Sequence, residues 1–280
     1  MSTFRQETRD RWRRSAAGWE ANADAMRRAT MPVSTWMVEA IGPQPGHQVL
    51  ELAAGPGDTG FLAAELIQPG GELITSDLVP EMLSAAQRRA EALGLRNVRF
   101  RQIDAELNLD LPAASLDGVL CRWAYMLLAD PEAALRETRR VLRPGGRVAL
   151  AAWTGPEDNR WSSEPAKLLA ERGLIEPADP NAPGQFAWAR EGVIAEHLEA
   201  AGFLDHDVQT VDFSYRYPSV AAWWETQTRL SLRTGEAAAA MDAATLQAVL
   251  AELEQRAAPV MEDDGSLVMP ARTWVAAATA

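Results

Sequence analysis

The sequence predicts an α/β fold: a doubly wound, mostly parallel sheet of seven strands, with N-terminal helices and a helical insertion that forms a cap. Between residues 47 and 153, short apolar runs alternate five times with amphipathic segments, as parallel strands alternate with right-handed crossover helices. A glycine-rich turn follows the first run. Because ligands of such sheets bind at the carboxyl ends of the strands, this turn marks the expected site.

The first segment, residues 1–46, is predicted to be helical. Its apolar side chains, Trp12 and Trp19 among them, fall near one helical face. Pro43 and Gly46 then interrupt the pattern, so the helices are expected to end there.

The core of the predicted sheet, residues 47–153, contains five strands and the helices between them. Each strand is a short apolar run, as expected for a strand that is buried on both faces. The helices are bounded by Pro, Gly or N-cap residues; Asp130 and Pro131, for example, occupy the N-cap and first turn of the last one. In chain order the segments are HQVLELAAG, GFLAAELI, ELITSD, PEMLSAAQRRAEALG, NVRFRQID, LDGVLCRW, DPEAALRETRRVLRPGG and RVALAAW.

The alternation loosens after this core. Residues 154–191 are rich in Pro, Gly, Asn and Trp and are predicted to be a loop-rich insertion. Residues 192–280 are expected to supply a helix (EGVIAEHLEAAGF), a strand (DVQTVDFSYRY) and a final strand (LVMPARTWVAAA). Residues 219–259 are predicted to be two helices of the cap, and Pro270 is expected at an edge position of the sheet.

Composition argues against a nucleic-acid partner, a membrane span, a disulfide and a zinc site. The net charge of −12 over 280 residues disfavours a nucleic-acid partner. The basic run from Arg5 to Arg14 is interrupted by acids and fits the solvated face of a helix. No run of about 18 apolar residues is present, so we expect no membrane span and a cytoplasmic protein. The single cysteine, Cys121, rules out an intrachain disulfide, offers no zinc cluster and is interpreted as inert core.

The turn after the first strand holds Gly55, Gly57 and Gly60 in a G-x-G-x-x-G spacing. This spacing lets a nucleotide approach the backbone before a helix N-terminus, but NAD sites and S-adenosylmethionine (SAM) sites share it. Glu51, on the strand itself, distinguishes the two ligands. Its carboxylate would repel the pyrophosphate of NAD and attract the ammonium and sulfonium groups of SAM.

Carboxylates also end the next two strands. Asp77 ends the second strand, 22 residues after Gly55, where a carboxylate can accept hydrogen bonds from both ribose hydroxyls. Asp104 ends the third strand and, with Ala105, can bind the exocyclic amine and ring edge of adenine. Acids at the ends of three successive strands would therefore meet the amine, ribose and adenine of one ligand.

These motifs resemble those of class I SAM-dependent methyltransferases, of the type that includes the ubiquinone and menaquinone C-methyltransferases and their small-molecule relatives. VLELAAGPGDTG resembles the first motif of that family and ITSDLVPEML the segment after it. RQIDAELNLDLPAASLDGVLCRWAYML resembles the second motif region and RETRRVLRPGGRVAL the third. The resemblance covers about residues 47–153. In one departure, Ala53 stands where the family often has Gly.

The resemblance implies that SAM is the cofactor, that S-adenosylhomocysteine (SAH) is its product, and that residues 47–153 form the binding core. Gly57 would allow close approach of the ligand, Leu78 and Met82 would pack on adenine, and Arg122 would lie where the methionine end meets the acceptor. The full set of implied cofactor contacts is Glu51, Ala53, Gly55, Gly57, Asp77, Leu78, Met82, Asp104, Ala105 and Arg122.

For the methyl acceptor, the resemblance implies contacts from Trp123, after the fourth strand, and from Trp19, on helices that cover the cofactor site. Tyr125 is a further pocket candidate, and Trp223 and Trp224 of the cap would line a flat apolar pocket. The expected reaction is in-line transfer of a methyl group to an oxygen or carbon of a small apolar or aromatic molecule. A homodimer is compatible with the sequence.

No general base and no metal site are assigned, because His47, His197 and His206 fall away from the predicted strand ends. Two other functions stay open. A NAD-dependent oxidoreductase would use the same glycines, although Glu51 argues against it and no Tyr-x-x-x-Lys pair is present. A non-catalytic regulator or partner subunit would share the fold, since fold does not determine function.

Overall fold

The computed structural model describes residues 3–179 and 182–280 and contains a seven-stranded sheet in the order β3-β2-β1-β4-β5-β7-β6. The strands are β1 (Gln48–Leu52), β2 (Glu72–Asp77), β3 (Val98–Gln102), β4 (Leu116–Arg122), β5 (Leu142–Trp153), β6 (Leu204–Tyr217) and β7 (Leu267–Thr279). β1 to β5 pair in parallel, and β7 runs antiparallel to β5. The predicted fold class is confirmed.

The described residues form nine α-helices. They are α1 (Thr3–Ile41), α2 (Thr59–Leu66), α3 (Pro80–Ala92), α4 (Pro131–Val141), α5 (Arg160–Glu171), α6 (Val193–Ala200), α7 (Val220–Leu230), α8 (Leu232–Ala240) and α9 (Ala243–Ala257). α4 begins as predicted, because the Asp130 carboxylate accepts a hydrogen bond from the Ala133 N–H at 2.9 Å.

The described residues divide into two compact units. The sheet unit takes in the described parts of Thr30–Thr154, Asn181–Val211 and Thr273–Ala280, and it holds β1 to β5. The helical unit takes in those of Met1–Ala29, Gly155–Pro180 and Asp212–Arg272, and it holds α5, α7, α8 and α9. α1, β6 and β7 contribute residues to both units.

The order of the strands brings together the carboxyl ends of β2, β1 and β4, which carry polar side chains. β1 lies between β2 and β4, with Glu51 opposite Thr75 on one side and Leu120 on the other. Since these three strands are parallel and buried, their carboxyl ends meet at one edge of the sheet. That edge carries Glu51, Asp77 and Arg122.

The N-terminal segment differs from its prediction, because α1 is one continuous helix of 39 residues that contains Pro32. It ends at Ile41, just before Pro43 and Gly46, as expected. No helix in the described part of the chain, α1 included, is long and apolar enough to cross a membrane.

Residues 154–191 contain a helix, α5, that the loop-rich composition concealed. Its buried residues Trp161, Pro165 and Leu168 recur at helical spacing. Asn159, just before it, donates a hydrogen bond to the Arg272 carbonyl at 2.9 Å and so fixes the helix start.

The cap region contains three helices where two were predicted. Ser231 separates α7 from α8 and accepts a hydrogen bond from the Thr234 N–H, and Asp242 does the same for α9 through Thr245. These N-caps are sequence signals that the apolar pattern alone did not resolve.

The expected edge position of Pro270 was wrong, because β7 lies between β5 and β6. The β7 residues that pair with β5 begin at Thr273, so Pro270, which lacks an N–H, is outside that ladder. β6 is the edge strand at this end of the sheet.

A buried hydroxyl pair joins the segment after β4 to α4. The Tyr125 hydroxyl lies 2.7 Å from Thr138 Oγ1, which itself donates to the Ala134 carbonyl, so Tyr125 is the donor of the pair. Tyr125 is 1% exposed, and its ring stacks on Trp188. This places Tyr125 in the core of the sheet unit, contrary to the expectation that it lines an open pocket.

We expect Thr138→Val to lower the free energy of unfolding by about 1–3 kcal/mol, because the buried Tyr125 hydroxyl loses its acceptor. Adding Tyr125→Phe should restore part of that loss, since no hydroxyl is then left unsatisfied. Urea unfolding of the wild type, both single variants and the double variant measures the coupling. Losses that simply add would show that the two hydroxyls do not depend on each other.

Candidate functional site

The three glycines of the turn after β1 are required for three different reasons. A Cβ at Gly57 would lie 2.5 Å from the Phe61 ring, and a Cβ at Gly60 would lie 2.4 Å from Glu51 Oε2. A Cβ at Gly55 would meet nothing within 4 Å, and Gly55 has a φ of +57°. Gly55 is therefore the glycine of this turn that leaves room for a ligand. Packing against Phe61 also requires a glycine at position 57, and the predicted close approach of the ligand to Gly57 stays a prediction.

Glu51 is a buried carboxyl with one unused oxygen. Its Oε1 accepts a hydrogen bond from the Gly60 N–H at 2.9 Å, whereas Oε2 has no donor among the described residues. Burial raises the pKa of Glu51 from 4.5 to about 7, although the Gly60 N–H and the Arg122 charge lower it. A cationic ligand next to Oε2 would favour the ionised carboxylate.

Asp77 connects the end of β2 to the glycine turn. Its Oδ2 accepts from the Gly55 N–H at 2.9 Å and its Oδ1 from the Val79 N–H at 3.1 Å. Burial raises the pKa of Asp77 from 3.8 to about 6, and the N–H groups of Val79 and Gly55 oppose that rise. Each oxygen keeps a further lone pair, so contact with ribose hydroxyls stays compatible with these bonds.

The predicted adenine contacts lie after β2 and β3. Asp104 and Ala105 are half-buried, and Asp104 Oδ1 accepts from the Glu106 N–H at 3.1 Å, which closes a turn. Leu78 is half-buried and Met82 is buried. No contact in the structure tests these four roles, so they stay predictions.

Arg122 is the centre of a buried polar network that the sequence did not reveal. Its guanidinium donates to Thr30 Oγ1 at 2.6 Å and to Ser34 Oγ at 3.0 Å, and it pairs with Asp58 Oδ2 at 2.9 Å. Thr30 and Ser34 are four residues apart on α1, and Asp58 precedes α2. Arg122 therefore binds other side chains of the sheet unit.

Trp123 has a strained backbone at the carboxyl end of β4. Its φ is +58°, a region that residues other than glycine rarely occupy. The indole N–H donates to Thr273 Oγ1 at 2.8 Å, and the ring stacks on Trp153 with centroids 4.2 Å apart. The Arg122 guanidinium lies 4.8 Å from the ring centroid. These contacts fix Trp123 beside the Arg122 network.

The other three predicted acceptor residues belong to the helical unit. Trp223 is fully buried, donates its indole N–H to the Trp161 carbonyl and forms part of the wall of a cavity of about 400 Å³. Trp224 is buried on the same helix, and Trp19 lies beside Trp12 with ring centroids 6.1 Å apart. Within the described residues the cavity is lined by Glu157, Asp158, Arg160, Glu164, Asp212, Phe213, Trp223, Arg256, Val260, Met269, Pro270, Ala271 and Arg272.

None of the three histidines follows the carboxyl end of β1 to β4, and Cys121 lies inside β4. His47 precedes β1 and accepts from the Gln44 N–H, His197 stacks on Trp188, and His206 lies 3.6 Å from Glu199. Cys121 is fully buried, and burial raises its pKa to about 12, which keeps the thiol protonated. The interpretation of Cys121 as inert core is confirmed.

The cluster fits the group that the sequence motifs imply. Glu51 Oε2 is a buried acceptor that a cation would satisfy, the turn is open at Gly55, and Asp77 ends β2 with spare lone pairs. The ammonium group of SAM matches the free oxygen of Glu51, and its ribose matches Asp77. The open backbone at Gly55 leaves room for the ligand to come close to the turn.

Comparison with known proteins agrees with this geometry. A family model described as a methyltransferase domain matches residues 43–172. Nocamycin O-methyltransferase of Saccharothrix syringae is 30% identical over 200 residues, covering 68% of this chain and 71% of that protein. Demethylmenaquinone methyltransferase of Thermus thermophilus is 41% identical over 109 residues; the match covers 39% of this chain and about half, 48%, of that relative. The crystal structure of YcgJ of Bacillus subtilis shares the fold, with a TM-score of 0.56, 22% identity and coverage of 88% and 97%.

Ala53, which stands where the family often has Gly, has a φ of +51°, a value that favours glycine. Ala53→Gly should raise the free energy of unfolding by about 0.5–1 kcal/mol, since relief of the left-handed strain exceeds the added chain entropy. Ala54→Gly, next to it and outside the set of positive-φ residues, should instead lose a similar amount. Thermal unfolding of both variants checks the sign, and a loss in both would contradict strain at Ala53.

A pH-dependent prediction follows from Glu51. Its pKa is raised by folding, so the stability that it contributes is present below about pH 4.5 and is lost as the pH rises through about 7. That rise corresponds to a loss of about 3 kcal/mol. Glu51→Gln lacks this loss, so we expect it to stabilise the ligand-free protein at pH 8 by clearly more than at pH 5. Urea unfolding at both pH values measures the difference, and an equal effect at both would refute the assignment.

Proposed function

The chain belongs to the class I SAM-dependent methyltransferases, and from that premise we propose that it methylates an oxygen or carbon atom of a small apolar or aromatic molecule. The match to nocamycin O-methyltransferase carries this acceptor class, because it extends over 200 residues, well beyond the cofactor-binding core. That relative is named for O-methylation and for a small molecule. The demethylmenaquinone methyltransferase match agrees in acceptor class, although it covers less of the chain.

The proposed cofactor contacts come from the sheet unit. Glu51 and the backbone at Ala53 and Gly55 would hold the methionine part, and Asp77 would hold the ribose. The chemistry that SAM supplies when bound is an electrophilic methyl group on a sulfonium centre. The remaining task of the protein is to hold an acceptor atom in line with that methyl group and to exclude water.

The proposed acceptor contact in the sheet unit is Trp123, because its ring is fixed next to Arg122 at the end of β4. Trp223 of the helical unit stays a prediction, because seven of the thirteen residues that line the cavity beside it are charged and do not match an apolar acceptor. Trp19, Trp224 and the homodimer stay predictions. The partner that we propose is the small-molecule acceptor.

Removal of the acceptor proton limits the choice of acceptor. None of the three histidines follows the carboxyl end of β1 to β4, and Glu51 is proposed above to hold the cofactor. An acceptor with an acidic O–H or C–H, such as a phenol or an enol, gives up its proton without a strong base. We therefore expect acceptors of that kind to react before simple alcohols.

The first test is calorimetric titration with SAH and, separately, with NADH. SAH should bind the wild type, and Asp77→Asn should weaken it about tenfold, since a hydrogen bond to a charged group is lost. Asp207→Asn, which changes an exposed carboxylate on β6, is the matched control and should bind like the wild type. Binding of NADH in place of SAH would refute the cofactor assignment.

The second step incubates the protein with SAM and a panel of phenols, enols and simple alcohols. Mass spectrometry should detect the gain of one methyl group on an acidic O–H or C–H acceptor. Methylation confined to amines, or to none of the panel while SAH still binds, would contradict the acceptor class and leave the cofactor site intact.

A further inference from the structure

Two buried carboxylate oxygens at the cofactor site have no hydrogen-bond donor in the described part of the chain. They are Glu51 Oε2 and Asp58 Oδ1, on residues that are 4% and 8% exposed. A buried carboxylate oxygen normally accepts at least one hydrogen bond, because burial without one is costly. Two such oxygens, one at the end of β1 and one at the N-cap of α2, therefore indicate a ligand that donates to both.

The two carboxylates belong to one electrostatic cluster. The charges of Asp58 and Asp77 raise the pKa of Glu51, whereas the charge of Arg122 lowers it. Glu51 and Asp58 thus share the Arg122 guanidinium, and the charge of Asp77 also acts on Glu51, so the cluster has an excess of negative charge when all three carboxyls are ionised. A cationic group of a ligand would neutralise this excess negative charge, whereas an anionic group would add to it.

Asp58 does not make the hydrogen bond that is usual for an Asp at its position. Asp58 stands at the N-cap of α2, where Asp normally accepts a hydrogen bond from the first turn, yet its side chain makes no capping bond. Its Oδ2 pairs with Arg122, which is itself fixed by Thr30 and Ser34. The side chain is therefore held away from its ordinary local partner, with Oδ1 left to accept from another group.

We propose that Asp58 is a second carboxylate ligand for the ammonium group of the cofactor, shared with Glu51, and that Arg122 is the residue that positions it. An ammonium has three donors on one compact charge and can serve both oxygens at once. The ammonium is present in both SAM and SAH, so the contact concerns cofactor binding and is independent of the acceptor.

The test compares two ligands that differ in the amino-acid part. SAH carries the ammonium, whereas 5′-methylthioadenosine has the adenosine and thioether and lacks it. By calorimetry, Asp58→Asn should weaken SAH about tenfold and leave 5′-methylthioadenosine unchanged. Glu51→Gln should do the same, and the two losses should not add in the double variant, because both residues hold one group. Asp77→Asn should weaken both ligands.

Control variants distinguish direct contact between Asp58 and the ammonium group from a purely structural role of Asp58. Asp207→Asn removes an exposed carboxylate of β6 and keeps Glu51, Asp58 and Arg122, so it should bind SAH as the wild type does. Asp58→Ser removes the carboxylate and can cap α2, which keeps the test open if the Asn variant folds poorly. Unchanged SAH binding in the Asp58 variants would overturn the proposal. An equal loss for 5′-methylthioadenosine would also overturn it, because Asp58 would then support the shape of the whole site and would not contact the ammonium group.

Discussion

The site depends on two buried carboxylates that hold the same backbone turn. Glu51 accepts from Gly60 and Asp77 accepts from Gly55, so the ends of β1 and β2 fix both halves of the turn before α2. Burial makes both carboxyls costly to ionise. The turn is thus shaped by groups that also present negative charge to a ligand, and the shape of the site and its selectivity for a cation have one origin.

Much of the fold could be predicted because it rests on local patterns. The strands from β1 to β5 are apolar runs closed by Gly, Pro or N-cap residues, and alternation with helices leaves few topologies. α5 was missed because Pro, Gly and Asn around it hide a helical repeat of buried residues. Pro270 was misplaced because the sequence does not show that β7 inserts between β5 and β6.

The candidate site was predicted in part. Residues at the ends of strands could be predicted, whereas contacts between distant segments could not. Glu51 and Asp77 follow from their places at strand ends, since parallel strands bring those ends together. The close packing of Gly57 against the Phe61 ring was not predicted, because the spacing of glycines does not show which side chain lies beside each of them. The Arg122 network joins Thr30 of α1 to Asp58, and no spacing in a single sequence encodes a contact of that separation.

The sheet order has a consequence for folding during synthesis. Trp153 of β5 pairs with Thr273 of β7, so the ladder on that side joins segments that the ribosome makes far apart in time. Until β7 emerges, a nascent chain carrying β1 to β5 presents the apolar edge of β5, a surface on which other extended chains can pair. The helices of the intervening segment are made during that interval. The sheet of this protein thus closes late, and the free edge of β5 stays unpaired until the chain has been made as far as β7.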